Sequence, residues 1–378
     1  MNKILFFLTV FFNSVICFGQ QTNEKKISKL FKTELNKENV YNAFLHVYSS
    51  SKNIDIQFAQ GTFKDGKIVT AENPFYLASI GKTVTATAIG ILKDQERLQF
   101  EDKINMHLSK EIMDKLNVFE GVDYSNEITI AQLLQHTSGL PDYFEDTTID
   151  GTPNMINQLF EKPSKTWLPK ELIEFSKQKM IPHFQPGKGY YYTDTEYVLL
   201  GLIIEKISGL ELHEFFKKYI FQPLHMKHTY MHLRSTSIRQ TLQMAEMYAS
   251  RYEISTFKSL SADWAGGGIV STTQDLLKFH KALLSGKIVQ KKTLERMQQW
   301  TPETQGMYYG FGLRKVVLNE LDQNLPKIEL IGHSGSTASF MYYCPNIDTY
   351  ISGTLNQTDS TKNSLSLITN ILTLIHQN

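Results

Sequence analysis

Pro74-Phe75-Tyr76-Leu77-Ala78-Ser79-Ile80-Gly81-Lys82 joins a short apolar run to a stretch of helical character that continues to Arg97. A serine at a helix start sits among free backbone N–H groups, at the positive end of the helix dipole, where developing negative charge is favoured. Lys82 follows three residues later, on the same face and one turn away. The pair sets an amine beside a hydroxyl, and a serine hydroxyl is a weak nucleophile until a neighbouring group takes its proton. Lysine can do this where burial or a nearby cation lowers its pKa. Ser-x-x-Lys also occurs at Ser49, Ser176 and Ser255. Only Ser79 follows an apolar run and opens a long helix; a capping serine beside a solvated lysine is the plain alternative.

Outward from this stretch, the order of elements predicts an α+β fold. Glu24–Asn39 reads as an amphipathic helix with Ile27, Leu30, Phe31 and Leu35 on one face. Ala43–Ser49 and Ile54–Gln60 read as a strand pair, with a turn at Lys64–Lys67. From Ile128 to about Leu233 the signals are helical, broken by Pro- and Gly-bearing loops. Strands return at Tyr309–Lys315, Lys327–Gly332, Ser339–Cys344 and Thr349–Asn356, and Lys362–His376 reads as a closing helix. The pattern implies an antiparallel sheet built from both termini and flanked by helices, with an all-helical insertion. The sheet lobe covers about 24–100 and 255–378, and the helical lobe about 101–254. A site is expected in the groove between them.

The chain has 378 residues, 41% hydrophobic and 20% charged, enough for a large core. Residues 1–19 read as an export signal: Lys3, the apolar run Ile4–Phe12, then Cys17-Phe18-Gly19 with cleavage after Gly19. The expected location is the periplasm, with secretion or lipid anchoring at Cys17 as alternatives. No later segment reads as transmembrane. Removing residues 1–19 takes one of 39 basic residues and none of 38 acidic ones. The balanced charge gives no long-range field to recruit nucleic acid. One cysteine, Cys344, then remains, so no intrachain disulfide forms and a buried thiol is expected.

Further stretches carry a resemblance: Leu133-Leu134-Gln135-His136-Thr137-Ser138-Gly139-Leu140, Pro186-Gly187 through Tyr192-Thr193-Asp194, Tyr197–Gly201, Gly266-Gly267-Gly268-Ile269-Val270-Ser271, and Gly332-His333-Ser334-Gly335. With Ala78–Thr83 they follow, in order, the pattern of the class C β-lactamase and D-Ala-D-Ala carboxypeptidase superfamily, which the chain resembles. The resemblance implies a β-lactamase/transpeptidase-like fold and an acyl-enzyme on Ser79. Lys82 and Tyr192 would share the acid and base roles, and which takes the serine proton first stays open. Backbone N–H groups of Ser79 and Ser336 would hold the oxyanion. Asp194, His333, Ser334 and Gly335 would complete the substrate-binding edge, with no cofactor and no metal.

Two positions depart from better-known members. The second motif usually ends in asparagine; Asp194 can only accept hydrogen bonds when ionised, and it favours the charged form of Lys82. His333 stands where potent class C β-lactamases have lysine, which argues against strong β-lactamase activity. His136 reads as a structural residue below the site, and Gly266–Gly268 as a close packing contact rather than a phosphate cradle. His225, His228 and His232 have a spacing that could be drawn as a zinc site, but they match a loop that binds no metal in the family. The reading is an exported serine hydrolase for a small ester, a D-amino-acid peptide or amide, or a β-lactam. The alternative is a weakly catalytic protein that binds penicillin or cell-wall peptides without efficient turnover.

Overall fold

A computed structural model describes residues 24–240 and 242–377; the expected export signal lies outside the described residues. Strand Asn42–Ser49 shows how the sheet is held. Ala43, Leu45 and Val47 enter one apolar core and Phe44 the other, the two-residue period of a strand covered on both faces. It pairs antiparallel with Ile54–Gly61 on one side and with Thr349–Thr354 on the other, so the two ends of the chain meet in the sheet. The eight strands run in the order Thr301–Thr304, Met307–Tyr309, Arg314–Val317, Glu329–Ser334, Phe340–Cys344, Thr349–Thr354, Asn42–Ser49, Ile54–Gly61. All of these pairings are antiparallel.

The helix at residues 24–34 and the closing helix Thr361–His376 cover one face. Ile27, Phe31, Leu367, Ile371 and Leu372 share a core there with Leu45 and Val47. Each fully buried leucine or isoleucine contributes roughly 1.5–3 kcal/mol. The larger core joins the nucleophile helix Gly81–Asp94, through Val84, Ala88 and Ile89, to helix Asp194–Ser208, through Val198, Leu199 and Ile203. Helix Thr273–Leu284 belongs to the same core, and its capping Thr272 accepts the Asp275 N–H at 3.2 Å.

Some elements differ from the sequence reading. The helix after Ser79 ends at Asp94 because Glu96 turns into the left-handed region at φ +57°. The expected strand Tyr309–Lys315 is divided by a turn with Gly312 at φ +62°, and Thr301–Thr304 adds an edge strand. Among the described residues the insertion carries six α-helices: Lys110–Met113, Ile130–Leu134, Met155–Glu161, Pro169–Lys179, Asp194–Ser208 and Leu212–Phe216. It also holds two short strand pairs, Val118–Phe119 with Val122–Asp123 and Tyr248–Ala249 with Tyr252–Glu253. Tyr230–Met231 joins Ile269–Ser271 and Phe75–Tyr76 in a three-stranded ribbon that ties the insertion to the nucleophile segment.

The nucleophile helix enters through a narrow gap. A Cβ on Gly81 would stand 2.8 Å from Gly267 Cα and 3.2 Å from its N and C, and backbone cannot swing aside as a side chain can. Gly81→Ala is expected to lower the unfolding free energy by about 1–3 kcal/mol through overpacking, despite the better helix propensity of alanine. Urea denaturation measures the change.

Candidate active site

The turn before Ser79 is pinned from two directions. Leu77 N–H donates to Ile269 O at 2.8 Å. From the other side, Ser339 Oγ donates to Leu77 O at 2.6 Å and Thr337 Oγ1 to Tyr76 O at 3.3 Å. Between these ties Ala78 adopts φ +48°, a conformation that costs a non-glycine residue about 1–3 kcal/mol. The turn delivers Ser79, half-buried, to a cavity of about 700 Å³ that Tyr192, Asp194, Ser334, Gly335 and Ser336 also line.

Lys82 lies under the serine with no exposed surface. Its Nζ stands 3.5 Å from Ser79 Oγ, donates to Gly266 O at 3.3 Å, and forms an ion pair with Asp194. Burial alone would lower the lysine pKa, but the charges of Asp194, Tyr192 and Asp263 outweigh it and hold the ammonium well above its ordinary range. Gly266 makes the pair possible: a Cβ there would fall 2.1 Å from Asp194 Oδ1. The glycine run is therefore a close contact, as its sequence suggests.

Asp194 opens its helix behind the N-cap Thr193, whose Oγ1 accepts the Thr195 N–H at 3.1 Å. Asp194 N–H donates to Asp142 Oδ1 at 2.9 Å. Three carboxyls join Asp194 at the cavity: Asp142, Glu145, and Asp263, which accepts from the Tyr76 hydroxyl at 2.9 Å. Burial and then the negative charge of Asp194 push Asp142 up to about 8 and Asp263 up to about 6. Tyr192 lines the cavity with Ser79; burial drives its phenol up to about 12, against the opposing pull of Lys82.

Strand Glu329–Ser334 forms the far wall. Ser334, Gly335 and Ser336 reach the cavity, whereas His333 is fully buried. His333 Nδ1 donates to Ser334 O at 2.7 Å, and its Nε2 accepts the Tyr309 hydroxyl at 3.0 Å. Burial and the Arg314 charge hold this imidazole well below its usual pKa. Besides Lys82, Arg314 lies near Tyr192, 5.6 Å from its ring and bound through two nitrogens to Glu303 at 2.6 and 2.7 Å. Among the described residues no group of three His, Cys, Asp or Glu side chains could hold a metal ion, and no helix is long and apolar enough to cross a membrane. His232 instead packs edge-on against Tyr76, with ring centroids 5.6 Å apart.

A family model described as beta-lactamase matches residues 27–374. The chain belongs to the beta-lactamase family. Within it, penicillin-binding protein 4* of Bacillus subtilis is 25% identical over 84% of this chain and 67% of its own length. A putative penicillin-binding protein, PbpX, of the same organism is 26% identical over 65% of this chain, which spans 56% of that protein. Among solved structures, the D-amino acid amidase of Ochrobactrum anthropi SV3, complexed with L-phenylalanine amide, superposes with a TM-score of 0.77. It is 22% identical, over 94% of this chain and 99% of the amidase. The beta-lactamase-family fold is shared by proteins of several activities, so the likeness carries the architecture and not the substrate.

Sequence reasoning passed over Asp142, Asp263 and Arg314. Asp142 sits two residues beyond the quoted stretch ending at Leu140, so a search around that stretch finds it. Arg314 is brought in by its pairing opposite Gly332, a register no local pattern reveals. Lys82→Met keeps side-chain length but leaves Asp194 a buried, unpaired carboxylate. It is expected to cost about 3–5 kcal/mol at pH 8. The loss should shrink toward pH 5, because the isolated carboxyl takes a proton in the folded state and stability then falls as pH rises. Thermal unfolding at the two pH values, with Ser79→Ala as a near-neutral reference, checks it.

Proposed function

We propose that the protein is an exported serine hydrolase that forms an acyl-enzyme on Ser79 and acts on a small ester or a D-amino-acid amide or peptide. The observation that carries this reading is Ser79 at the cavity, which Tyr192 also lines, with the serine Oγ 3.5 Å from the Lys82 ammonium. Ser79 Oγ bonds to the substrate carbonyl carbon. Tyr192 takes the serine proton while handing its own to the leaving oxygen or nitrogen, and the bond to that atom breaks. Lys82, already protonated, supplies charge rather than a lone pair. The Ser79 and Ser336 N–H groups hold the oxyanion. Water then attacks the acyl carbon by the reverse proton path and frees Ser79. Residues 1–19 direct export in this reading.

The cavity walls support an aminoacyl substrate. Its two cations are already paired, Lys82 with Asp194 and Arg314 with Glu303. Glu145 and Asp263 are left to meet an incoming ammonium, beside an apolar wall of Phe144, Leu159, Phe160 and Leu260. The phenylalanine amide in the Ochrobactrum anthropi structure is a molecule of that kind. A second reading, a penicillin- or cell-wall-peptide-binding protein with little turnover, is favoured by one feature. The charged Lys82 has no lone pair with which to take the serine proton.

Intact-mass analysis after a fluorophosphonate probe is expected to show one adduct, on Ser79, and none in Ser79→Ala. An unlabelled protein would sink the hydrolase reading; a penicillin adduct that persists for hours would favour the binding protein. Asp263→Asn is expected to raise KM for D-phenylalanine amide about tenfold, near 1.4 kcal/mol. KM for its N-acetyl counterpart should stay within about twofold, as steady-state kinetics at pH 7.5 will show; equal changes for both would remove the ammonium contact.

A further inference from the structure

His136 takes no part in the chemistry outlined above, yet it touches both chain neighbours of Tyr192. It is fully buried, with its backbone in the left-handed region at φ +58°. Its carbonyl oxygen accepts the Tyr191 N–H at 2.9 Å, and its Nδ1 accepts the Thr193 N–H at 3.3 Å. Tyr192 is thus gripped on either side by one residue, through backbone and through ring. The imidazole also lies beneath the phenol: ring centroids of His136 and Tyr192 are 4.3 Å apart, with Tyr309 at 4.5 Å and Tyr197 at 5.3 Å.

The imidazole is itself set by a carboxyl. Glu196, fully buried on helix Asp194–Ser208, places Oε2 2.5 Å from His136 Nδ1. Its Oε1 accepts from Ser138 Oγ at 2.5 Å and from Ser138 N–H at 3.1 Å. Nδ1 faces both the Thr193 N–H and Glu196 Oε2, and one proton lies between ring and carboxyl. Burial favours the arrangement in which both groups are neutral, raising the Glu196 carboxyl well above and lowering His136 well below their ordinary values. A neutral, hydrogen-bonded pair avoids the cost of burying two ions.

We infer that His136, fixed by Glu196 and Ser138, is the positioning residue that holds the Tyr192 phenol at Ser79. This rests on the reading that Tyr192 relays the serine proton. Such transfer needs heavy atoms about 2.6–3.2 Å apart, and a displacement of about 1 Å can cost on the order of 100-fold in rate. Nothing in the clamp touches the substrate, so its loss should appear in kcat and not in KM.

The test is a double-mutant cycle on the full chain with p-nitrophenyl acetate, with unfolding followed in parallel. His136→Phe keeps a ring but removes Nδ1, and is expected to lower kcat about 10- to 100-fold with KM within about threefold. In the Tyr192→Phe background the same change should cost less than about threefold, since the group it positions is gone. His136→Asn puts an acceptor near the place of Nδ1, tolerates the left-handed backbone, and should recover most of the rate. Equal losses in the two backgrounds, or an unchanged kcat in His136→Phe, overturn the clamp. If His136→Phe does not fold, Glu196→Ala runs the same cycle; failure of both to fold assigns the pair to stability alone and also overturns it. A fully active Tyr192→Phe enzyme is a separate outcome: it removes the proton relay, and the clamp with it.

Discussion

The buried ion pair of Lys82 and Asp194 is the constraint around which the rest of the molecule is arranged. Lys82 is wholly enclosed, and neither charge could stay there alone without a cost of several kcal/mol. The pair joins two helices, Gly81–Asp94 and Asp194–Ser208, and the Gly266 carbonyl supplies a third contact from the ribbon segment. Three regions far apart in the chain must therefore meet at one nitrogen. Gly266 is needed because Asp194 Oδ1 occupies the space of its Cβ, and Gly81 because the helix rests on Gly267 backbone. The nucleophile turn is held in its strained form by the same closing of regions, through Leu77 and its partners in Ile269 and Ser339.

The pair also decides how the chemistry is divided. An ammonium held in its charged form lowers the energy of negative charge at Tyr192 and at a developing oxyanion, but cannot itself accept a proton. In the proposed reaction the phenol is then the mobile carrier, raised by burial and moderated by the two cations, Lys82 and Arg314, that flank it. Ester hydrolysis, with its better leaving group, asks less of such a site than amide hydrolysis. Asp142 and Asp263 crowd the same site, and burial followed by the negative charge of Asp194 raises the pKa of both.

Much of this was legible in the sequence, for a physical reason. Strand Asn42–Ser49 and the closing helix Thr361–His376 follow local periodicity, and the structure places them within one residue of expectation; the helix after Ser79 forms as expected but stops three residues short of Arg97. Breaks set by single backbone angles were not legible. Glu96 and Gly312 end elements whose side-chain pattern runs on, and the two-residue strands of the insertion are too short to display a period. At the site, Ser79, Lys82, Tyr192 and Asp194 were found because each belongs to a compact motif. Their meeting at one cavity depends on packing, which no motif encodes.

His333 illustrates the limit most clearly. Read from the motif, it should face the substrate; in the fold its ring turns inward and bonds the Tyr309 hydroxyl, while its neighbours Ser334, Gly335 and Ser336 take the cavity wall. A strand alternates sides, so once Ser334 faces the cavity His333 must face away from it. The charge that a lysine would bring to this motif then has to come from elsewhere, and the adjacent strand supplies it. Arg314 pairs opposite Gly332, its guanidinium reaches Ser334 Oγ at 3.4 Å and lies 5.6 Å from the Tyr192 ring. Glu303 holds that guanidinium in place with two hydrogen bonds, so the charge is fixed in direction and already paired with a carboxylate. A cation so restrained can tune the phenol beside it, but it offers less to a free carboxylate than an unpaired lysine would.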